Sequence, residues 1–266
     1  MIRDITLGQY FPGESWVHKL DPRVKIIATL LFIIELFLVN DFIGFAIAAV
    51  VLAVLIAVSK VPINFIVRGL KPIIIILLFT FTLNIFMING EVIWSWWILK
   101  ITKEGIRTAV FMAIRLILLI IGSSMLTLCT RPLSLTDGIE RLLSPFKKIG
   151  LPAHEIAMMM TIALRFIPTL LEETDKIMKA QQARGADFET GSVLHRAKSL
   201  IPILVPLFVS AFRIAQDLAM AMEARCYRGG EHRTRMHEMK MKGRDYVAMA
   251  LQVLFLAVII VEAYFL

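Results

Sequence analysis

Long apolar runs alternate with short polar breaks along the first half of the chain. Four runs, at residues 26–39, 42–58, 73–88 and 105–128, approach the length of a bilayer crossing when flanking residues are included. A fifth apolar run follows at 247–266. The pattern predicts an all-α integral membrane protein with about five transmembrane helices.

The pattern changes between the fourth and fifth runs. Residues 129–245 carry many charges of both signs and have no clean apolar run of about 20 residues. Apolar positions at three- and four-residue spacing predict amphipathic helices at 134–148, 153–185 and 193–228. Pro168 lies inside the second of these, and we expect it to kink the helix.

These patterns divide the sequence into four regions. We expect a cytoplasmic N-terminal segment at 1–25 and a four-helix transmembrane region at 26–128. A cytoplasmic module of about three amphipathic helices then occupies 129–245, and the last transmembrane helix occupies 246–266. The module is therefore predicted to be inserted before the last span.

The distribution of charge gives the expected orientation. The chain has 266 residues, of which 58% are hydrophobic and only 19% are charged, with a formal net charge of +8. Basic residues are concentrated in the N-terminal segment, in the 60–71 connection and after the fourth span. The positive-inside rule explains this excess more simply than nucleic-acid binding, and it places the N-terminus in the cytoplasm. Trp94, Trp96 and Trp97 form an aromatic cluster typical of a membrane–water interface.

Two of the predicted helices end in similar triplets. They are Ala183-Arg184-Gly185 and Ala224-Arg225-Cys226. The residues 7, 14 and 21 positions before each arginine are apolar. Seven residues are about two helical turns, so each arginine extends an apolar stripe along one side of its helix. One such ending is typical of an ordinary helix C-terminus, where a cation and a glycine are both favoured. Two of them in one module favour a function, in which each helix tip presents an arginine to a docking groove.

Signatures of catalysis and metal binding are absent from the sequence. His154-Glu155 begins like a zinc-protease motif, but Met158 stands where the second histidine is needed. No phosphate-binding glycine-rich motif and no Gly-x-Ser-x-Gly elbow occurs, so any ATP hydrolysis would belong to another chain. His232 and His237 are expected in a basic loop, and we expect no metal site and no cofactor bound by this chain.

Three polar residues lie inside predicted spans. Glu35 and Arg115 sit well within the first and fourth spans, where an ionisable group is costly unless it faces protein. They could pair with each other or mark a substrate path. Asn84 in the third span is expected to form a hydrogen bond to another helix.

The N-terminal segment carries the pattern Gly8-Gln9-Tyr10-x-Pro12-Gly13-x-Ser15-x-x-His18-x-Leu20-Asp21-Pro22-Arg23-x-Lys25. This pattern resembles the opening of the transmembrane T component of energy-coupling factor transporters. The Leu164-Arg165-Phe166-Ile167-Pro168 stretch and the two Ala-Arg triplets resemble the cytoplasmic coupling helices of that family. The resemblance covers essentially the whole chain. Cys226 stands where glycine is common in the first triplet.

The resemblance implies a four-part importer in a prokaryotic cell membrane. Two ABC-type ATPases, which bind ATP and Mg²⁺, would lie below this non-catalytic scaffold, and a small membrane S component would capture a vitamin or other micronutrient. Carried over by position, Arg184 and Arg225 would each dock into one ATPase. Two alternatives stay open: a subunit of a dedicated cobalt or nickel system, and a self-contained permease or enzyme that uses Glu35 and Arg115.

Overall fold

The computed structural model describes residues 10–88, 90–96, 99–186, 188, 198–229 and 239–265. Within these ranges the chain is almost entirely helical. The helices are α1 (Pro22–Leu38), α2 (Phe42–Ser59), α3 (Ile63–Leu70), α4 (Ile74–Met87), α5 (Lys103–Cys129), α6 (Pro132–Leu143), α7 (Ala153–Ala183), α8 (Ile201–Ala224) and α9 (Gly243–Phe265).

Six helical segments of the described chain are long and apolar enough to cross a membrane, which confirms the all-α membrane class. They include α7 and α8, whose mean hydropathies of 1.3 and 1.5 are the lowest of the six. The expectation of no apolar span within 129–245 is therefore wrong by length and composition, because each of these two helices contains a long stretch in which few charged residues interrupt the apolar ones. Helix α1 has 17 residues and is not among the six.

The connection expected at 60–71 is itself largely helical. Helix α3 begins after Pro62, and a 3-10 turn at Lys71–Ile73 joins it to α4. Pro72 has no N–H to donate, which explains why regular α-helical bonding breaks at this turn. The third apolar segment consequently extends over Ile63–Met87, 25 residues.

A β-hairpin, which the sequence pattern did not predict, follows α4. Strands β1 (Val92–Trp96) and β2 (Leu99–Thr102) pair antiparallel. The Thr102 hydroxyl donates to the Ile88 carbonyl at 2.7 Å and accepts the Gly105 N–H at 3.1 Å. Thr102 therefore joins the hairpin to the start of α5, where it acts as the N-cap. Trp97 lies outside the described residues.

Contacts divide the chain into two compact units. One, here called the bundle, holds the described residues from 10 to 138 and from 239 onward; the other, here called the helix pair, holds those from 139 to 229. The boundary falls within α6, which ends at Leu143 and continues as a 3-10 helix, Ser144–Ile149, instead of the single helix expected at 134–148. Pro145 near the start of that segment explains the change.

The bundle packs around a cluster of aromatic and aliphatic side chains. Phe32, Leu36, Phe45, Leu118 and Ile259 are among the buried residues of its main cluster. The side chains come from α1, α2, α5 and α9, so the last helix packs against the first ones. Contacts of α1 with α5 and α9 bring the two ends of the sequence into one core.

The N-terminal signature residues hydrogen-bond to one another. His18 Nδ1 lies 2.6 Å from Ser15 Oγ, and its Nε2 lies 3.1 Å from the Phe11 carbonyl. Asp21 caps α1 and accepts two bonds from the Arg23 guanidinium, at 3.0 and 2.9 Å. Burial lowers the pKa of His18, which favours the neutral ring. Burial alone would raise the pKa of Asp21, but the bonds and charge of Arg23 outweigh it and lower that pKa.

Candidate functional site

Helices α7 and α8 pack antiparallel within the helix pair. Gln181, near the end of α7, donates to the carbonyl of Pro202 at the start of α8, at 3.3 Å. Near the middle, Ser210 Oγ lies 3.4 Å from Glu173 Oε1. The end of α7 therefore lies beside the beginning of α8.

The antiparallel arrangement places Arg184 and Arg225 at opposite ends of the pair. Each arginine is the residue that follows the last helical position of its helix. Helix α7 has 31 residues, which corresponds to roughly 46 Å at 1.5 Å per residue. The two tips are therefore separated by a distance on the order of 40 Å. The sequence predicts the tips but not this separation.

Both helices end in the same backbone motif. The Ala186 N–H donates to the Gln181 carbonyl at 3.0 Å, and the Gly185 N–H donates to the Gln182 carbonyl at 2.9 Å. At the second tip, Tyr227 donates to Met222 at 3.0 Å and Cys226 to Glu223 at 2.9 Å. This pair of bonds defines the Schellman ending, in which the residue after the C-cap is left-handed. The two triplets are thus equivalent in structure as well as in sequence.

Cys226 occupies a backbone position that favours glycine. Its φ is +55°, and Gly185 at the equivalent position has φ +88°. A left-handed conformation costs a residue with a Cβ roughly 1–2 kcal/mol. The second tip therefore keeps the same backbone shape with Cys226 in place of glycine, but this residue lowers the stability of the folded chain.

We expect Cys226→Gly to stabilise the chain by about 1 kcal/mol, because glycine adopts the left-handed region without this strain. Thermal unfolding of the purified protein measures the change. Ala224→Gly is the matched control inside the helix, where glycine should destabilise by about 1 kcal/mol. Unchanged transport in Cys226→Gly would fit a backbone role, whereas loss of transport would show that the thiol itself is needed.

The arginines at both tips are available to a partner. Both side chains are exposed, and neither guanidinium forms an ion pair with any residue that the structure describes. A guanidinium can donate two parallel hydrogen bonds to one carboxylate, which a lysine cannot reproduce. Each tip therefore offers a fork of donors that suits an acidic side chain.

A groove between α7 and α8 leads to the second tip. Its volume is about 470 Å³, and its lining includes Arg165, Phe166, Asp217, Leu218 and Arg225. Arg165 and Phe166 belong to the Leu-Arg-Phe-Ile-Pro stretch that carries part of the resemblance. The structure thus places that stretch beside the second arginine rather than at a separate site.

The His154 ring, in the first turn of α7, contacts polar side chains of two other segments. Its Nδ1 lies 3.0 Å from Glu140 Oε1, and its Nε2 lies 3.2 Å from the Tyr227 hydroxyl. Tyr227 is also the residue whose N–H closes the second helix ending. His154 therefore connects the start of α7 to the backbone turn that follows Arg225.

Replacement of His154 by alanine is expected to reduce transport several-fold, because the turn behind Arg225 loses a hydrogen bond worth about 1 kcal/mol. Substrate uptake in cells and the thermal midpoint of the purified chain are the measurements. The adjacent, exposed Glu155 provides the control variant Glu155→Ala, which should leave both values unchanged. Equal effects of the two variants would contradict this role of His154.

Comparisons with known proteins identify the family. Residues 13–236 match the family described as CbiQ, cobalt transport protein. Proteins named energy-coupling factor transporter transmembrane protein EcfT are similar over nearly the whole chain: that of Clostridium kluyveri is 60% identical over 250 residues, covering 93% of both chains. The chain belongs to the CbiQ family, and it resembles these energy-coupling factor transmembrane proteins in sequence over nearly their whole length. The EcfT proteins of Ruminiclostridium cellulolyticum, 56% identical over 99% of both chains, and Bacillus subtilis, 48% identical over 92% and 93%, extend the similarity.

Membership of the family confirms the resemblance drawn from the N-terminal signature and the Ala-Arg triplets. It also agrees with a multi-pass membrane protein that acts as a component of an energy-coupling factor transporter. The roles of the individual residues at the two tips remain predictions, and they rest on the geometry above.

The pair between Glu35 and Arg115, one of the two possibilities that the sequence leaves open, does not form. Fully buried Glu35 accepts both of its hydrogen bonds, at 3.1 and 2.9 Å, from Gln252 of α9. Arg115 instead donates to the Val39 carbonyl at 2.6 Å and lies over the rings of Phe37 and Phe45. The C-terminal end of α1 supplies the acceptor, since its last carbonyls lack partners in the helix and favour a cation.

Sequence reasoning missed two polar residues of α9. Gln252 satisfies Glu35, and Glu262 lies so close to α2 that a Cβ on Gly44 would stand 2.4 Å from its Oε2. Both lie inside the apolar run 247–266, where hydropathy does not single them out. Asn84 also differs from expectation, because its amide donates to the Thr80 carbonyl within α4, at 2.8 Å.

The described residues contain no group of three or more side chains that could hold a metal ion. His232 and His237, which the sequence placed in a basic loop, lie outside the described residues. Of the two cysteines, Cys129 is buried and Cys226 exposed, and neither is in a disulfide.

Proposed function

We propose that this chain is the non-catalytic membrane scaffold of an energy-coupling factor importer. In this role it couples ATP hydrolysis by two separate ATPase subunits to uptake of a vitamin or other micronutrient. The observation that carries the proposal is the pair of exposed arginines on equivalent helix endings at opposite ends of one antiparallel pair. Two separated docking points suit two ATPase subunits better than one.

The proposed mechanism uses the helix pair as a rigid lever. Each guanidinium would bind a carboxylate in a groove of one ATPase, on the cytoplasmic side where the N-terminus also lies. Closure of the ATPases on ATP and Mg²⁺ would move the two tips. Since α7 and α8 are bonded at both ends and near the middle, the motion would pass along the pair as a unit.

The partner that captures the substrate would bind an apolar surface. Along α8 the side chains of Val205, Phe208, Val209 and Phe212 are 58–69% exposed. Small residues in the second half of this helix permit close approach of another helix. We assign this face to the S component, since an apolar surface would accept several such proteins without a specific charge code.

Purification of the tagged protein from its own membranes in mild detergent tests the proposal, with mass spectrometry of the co-purifying proteins. Two different ATPases with phosphate-binding motifs plus small hydrophobic proteins would support the scaffold role. Several alternative small proteins would indicate a shared module, and a single one would indicate a dedicated system such as the cobalt transport named for the family. A chain that purifies alone and transports in liposomes would contradict the proposal.

A further inference from the structure

Two cavities of the bundle, one apolar and one polar, meet where α1 begins and α5 ends. The apolar cavity, about 460 Å³, lies between α1, α2, α5 and α9. The polar cavity, about 430 Å³, lies between the N-terminal segment and the turn from α5 into α6. Leu20, Lys25 and Cys129 line both cavities. The two cavities therefore adjoin each other at these three residues.

The shared lysine places a cation at the junction. Lys25 is only 8% exposed, and its Nζ donates to the carbonyls of His18 and Cys129 at 3.0 and 2.9 Å. An ammonium group has three hydrogens, so one remains for a further acceptor. The junction thus combines a buried positive charge with an adjoining apolar space.

One residue that lines the polar cavity has a buried hydroxyl without a partner among the described residues. Thr130 is 4% exposed, and its Oγ1 has no hydrogen-bond partner among the described residues. A buried polar atom left in this state costs free energy, so a ligand that accepts from it would be favoured. Thr130 lines the polar cavity.

The charges around the polar cavity favour an anion. Lys19, Lys25 and Arg131 line it together with one carboxylate, Glu14, which lies 3.7 Å from Lys19. The carbonyl of Arg131 accepts the first bond of α6, from Leu135, which makes Arg131 the N-cap. The guanidinium of Arg131 carries no acceptor for the Leu133 and Ser134 N–H groups of the first turn, and Ser134 lines the same cavity.

We propose that the two cavities bind one anionic phospholipid. The phosphodiester would lie in the polar cavity between Thr130, Arg131 and the start of α6, and an acyl chain would fill the apolar cavity. A free phosphate ion would use only the polar half. The size and apolar lining of the neighbouring space therefore favour the lipid, and half-exposed Trp16 lines that space as expected at a membrane interface.

The test uses the full-length chain, delipidated in detergent and titrated with phosphatidylglycerol, phosphatidylcholine or inorganic phosphate while native mass spectrometry counts bound molecules. We expect phosphatidylglycerol to bind about tenfold more tightly than phosphatidylcholine, because the cavity carries an excess of positive charge. Thr130→Val should weaken phosphatidylglycerol binding about tenfold and Arg131→Gln about fivefold.

Matched variants separate the two halves of the site. Val51→Trp fills the apolar cavity and should lower phosphatidylglycerol binding, whereas Val50→Trp, on an exposed neighbour outside the cavity, should not. Lys71→Gln removes an exposed charge outside both cavities and should also leave binding unchanged. Equal losses in Lys71→Gln and Arg131→Gln would overturn the proposal. The proposal would also be overturned if millimolar inorganic phosphate displaced phosphatidylglycerol while Val51→Trp left its binding unchanged. Equal binding of phosphatidylglycerol and phosphatidylcholine would overturn it as well. None of these readouts depends on transport, so the outcome is independent of the scaffold role.

Discussion

Simultaneous replacement of Arg184 and Arg225 by alanine is expected to abolish substrate uptake while the protein still inserts into the membrane. Each arginine follows the end of its helix and is exposed, so truncation removes a contact without opening a cavity in the chain. Removal of one partner of a desolvated charge pair costs about 2–5 kcal/mol. Loss at both tips therefore removes the docking that the proposed mechanism requires.

Uptake of radiolabelled substrate in cells, normalised to the amount of membrane-inserted protein, measures this effect. The single variants should each impair uptake strongly, and Arg184→Lys should not restore it fully, since lysine lacks the planar fork of donors. Arg213→Ala is the matched control, because Arg213 is an exposed arginine in the middle of α8. Normal uptake by the double variant would refute the docking role of the tips.

Gly122→Ala is expected to destabilise the bundle by about 1–3 kcal/mol, the usual cost of overpacking a core. A Cβ at this position of α5 would stand 2.4 Å from Cε1 and 2.7 Å from Cδ1 of the Phe32 ring. The ring is 8% exposed and belongs to the main buried cluster. The close approach of α1 and α5 therefore depends on the absence of a side chain at Gly122.

The thermal unfolding midpoint of the purified chain in detergent tests this prediction. Gly69→Ala is the control, because a Cβ there meets only Ser124 Oγ at 3.6 Å, an ordinary contact. That variant should be neutral or slightly stabilising, since alanine favours helix more than glycine does. A midpoint of Gly122→Ala equal to that of the wild type would mean that the helices pack differently here.

The features that the sequence predicts correctly are the local ones. Apolar runs and helical spacing locate most of the long helices, and Gly185 suits the left-handed end of α7. The start of α7 at Ala153 also agrees with the expected helix. These features depend on residues close together in the sequence, and helix length and capping are decided at that scale.

Features that depend on packing between distant residues were not predictable from one sequence. Glu35 finds Gln252, 217 positions later, rather than Arg115, and nothing in the hydropathy pattern distinguishes these partners. The sequence pattern does not single out Glu262, because a single carboxylate does not interrupt a long apolar run. The bond from His154 to Tyr227 likewise joins residues 73 positions apart. The antiparallel packing of α7 and α8, which separates the two tips, also depends on contacts between residues that are distant in the sequence.

The most direct test of the account is photo-crosslinking of the two helix tips in the assembled membrane complex. A photoreactive amino acid replaces Arg184 or Arg225 in turn while the other arginine is kept, and exposed Lys176 of α7 serves as the control position. We expect each tip to capture an ATPase subunit, with different subunits at the two positions, and position 176 to capture little. Capture of no ATPase from either tip, or equal capture from position 176, would contradict the claim that these arginines dock the scaffold onto two ATPases.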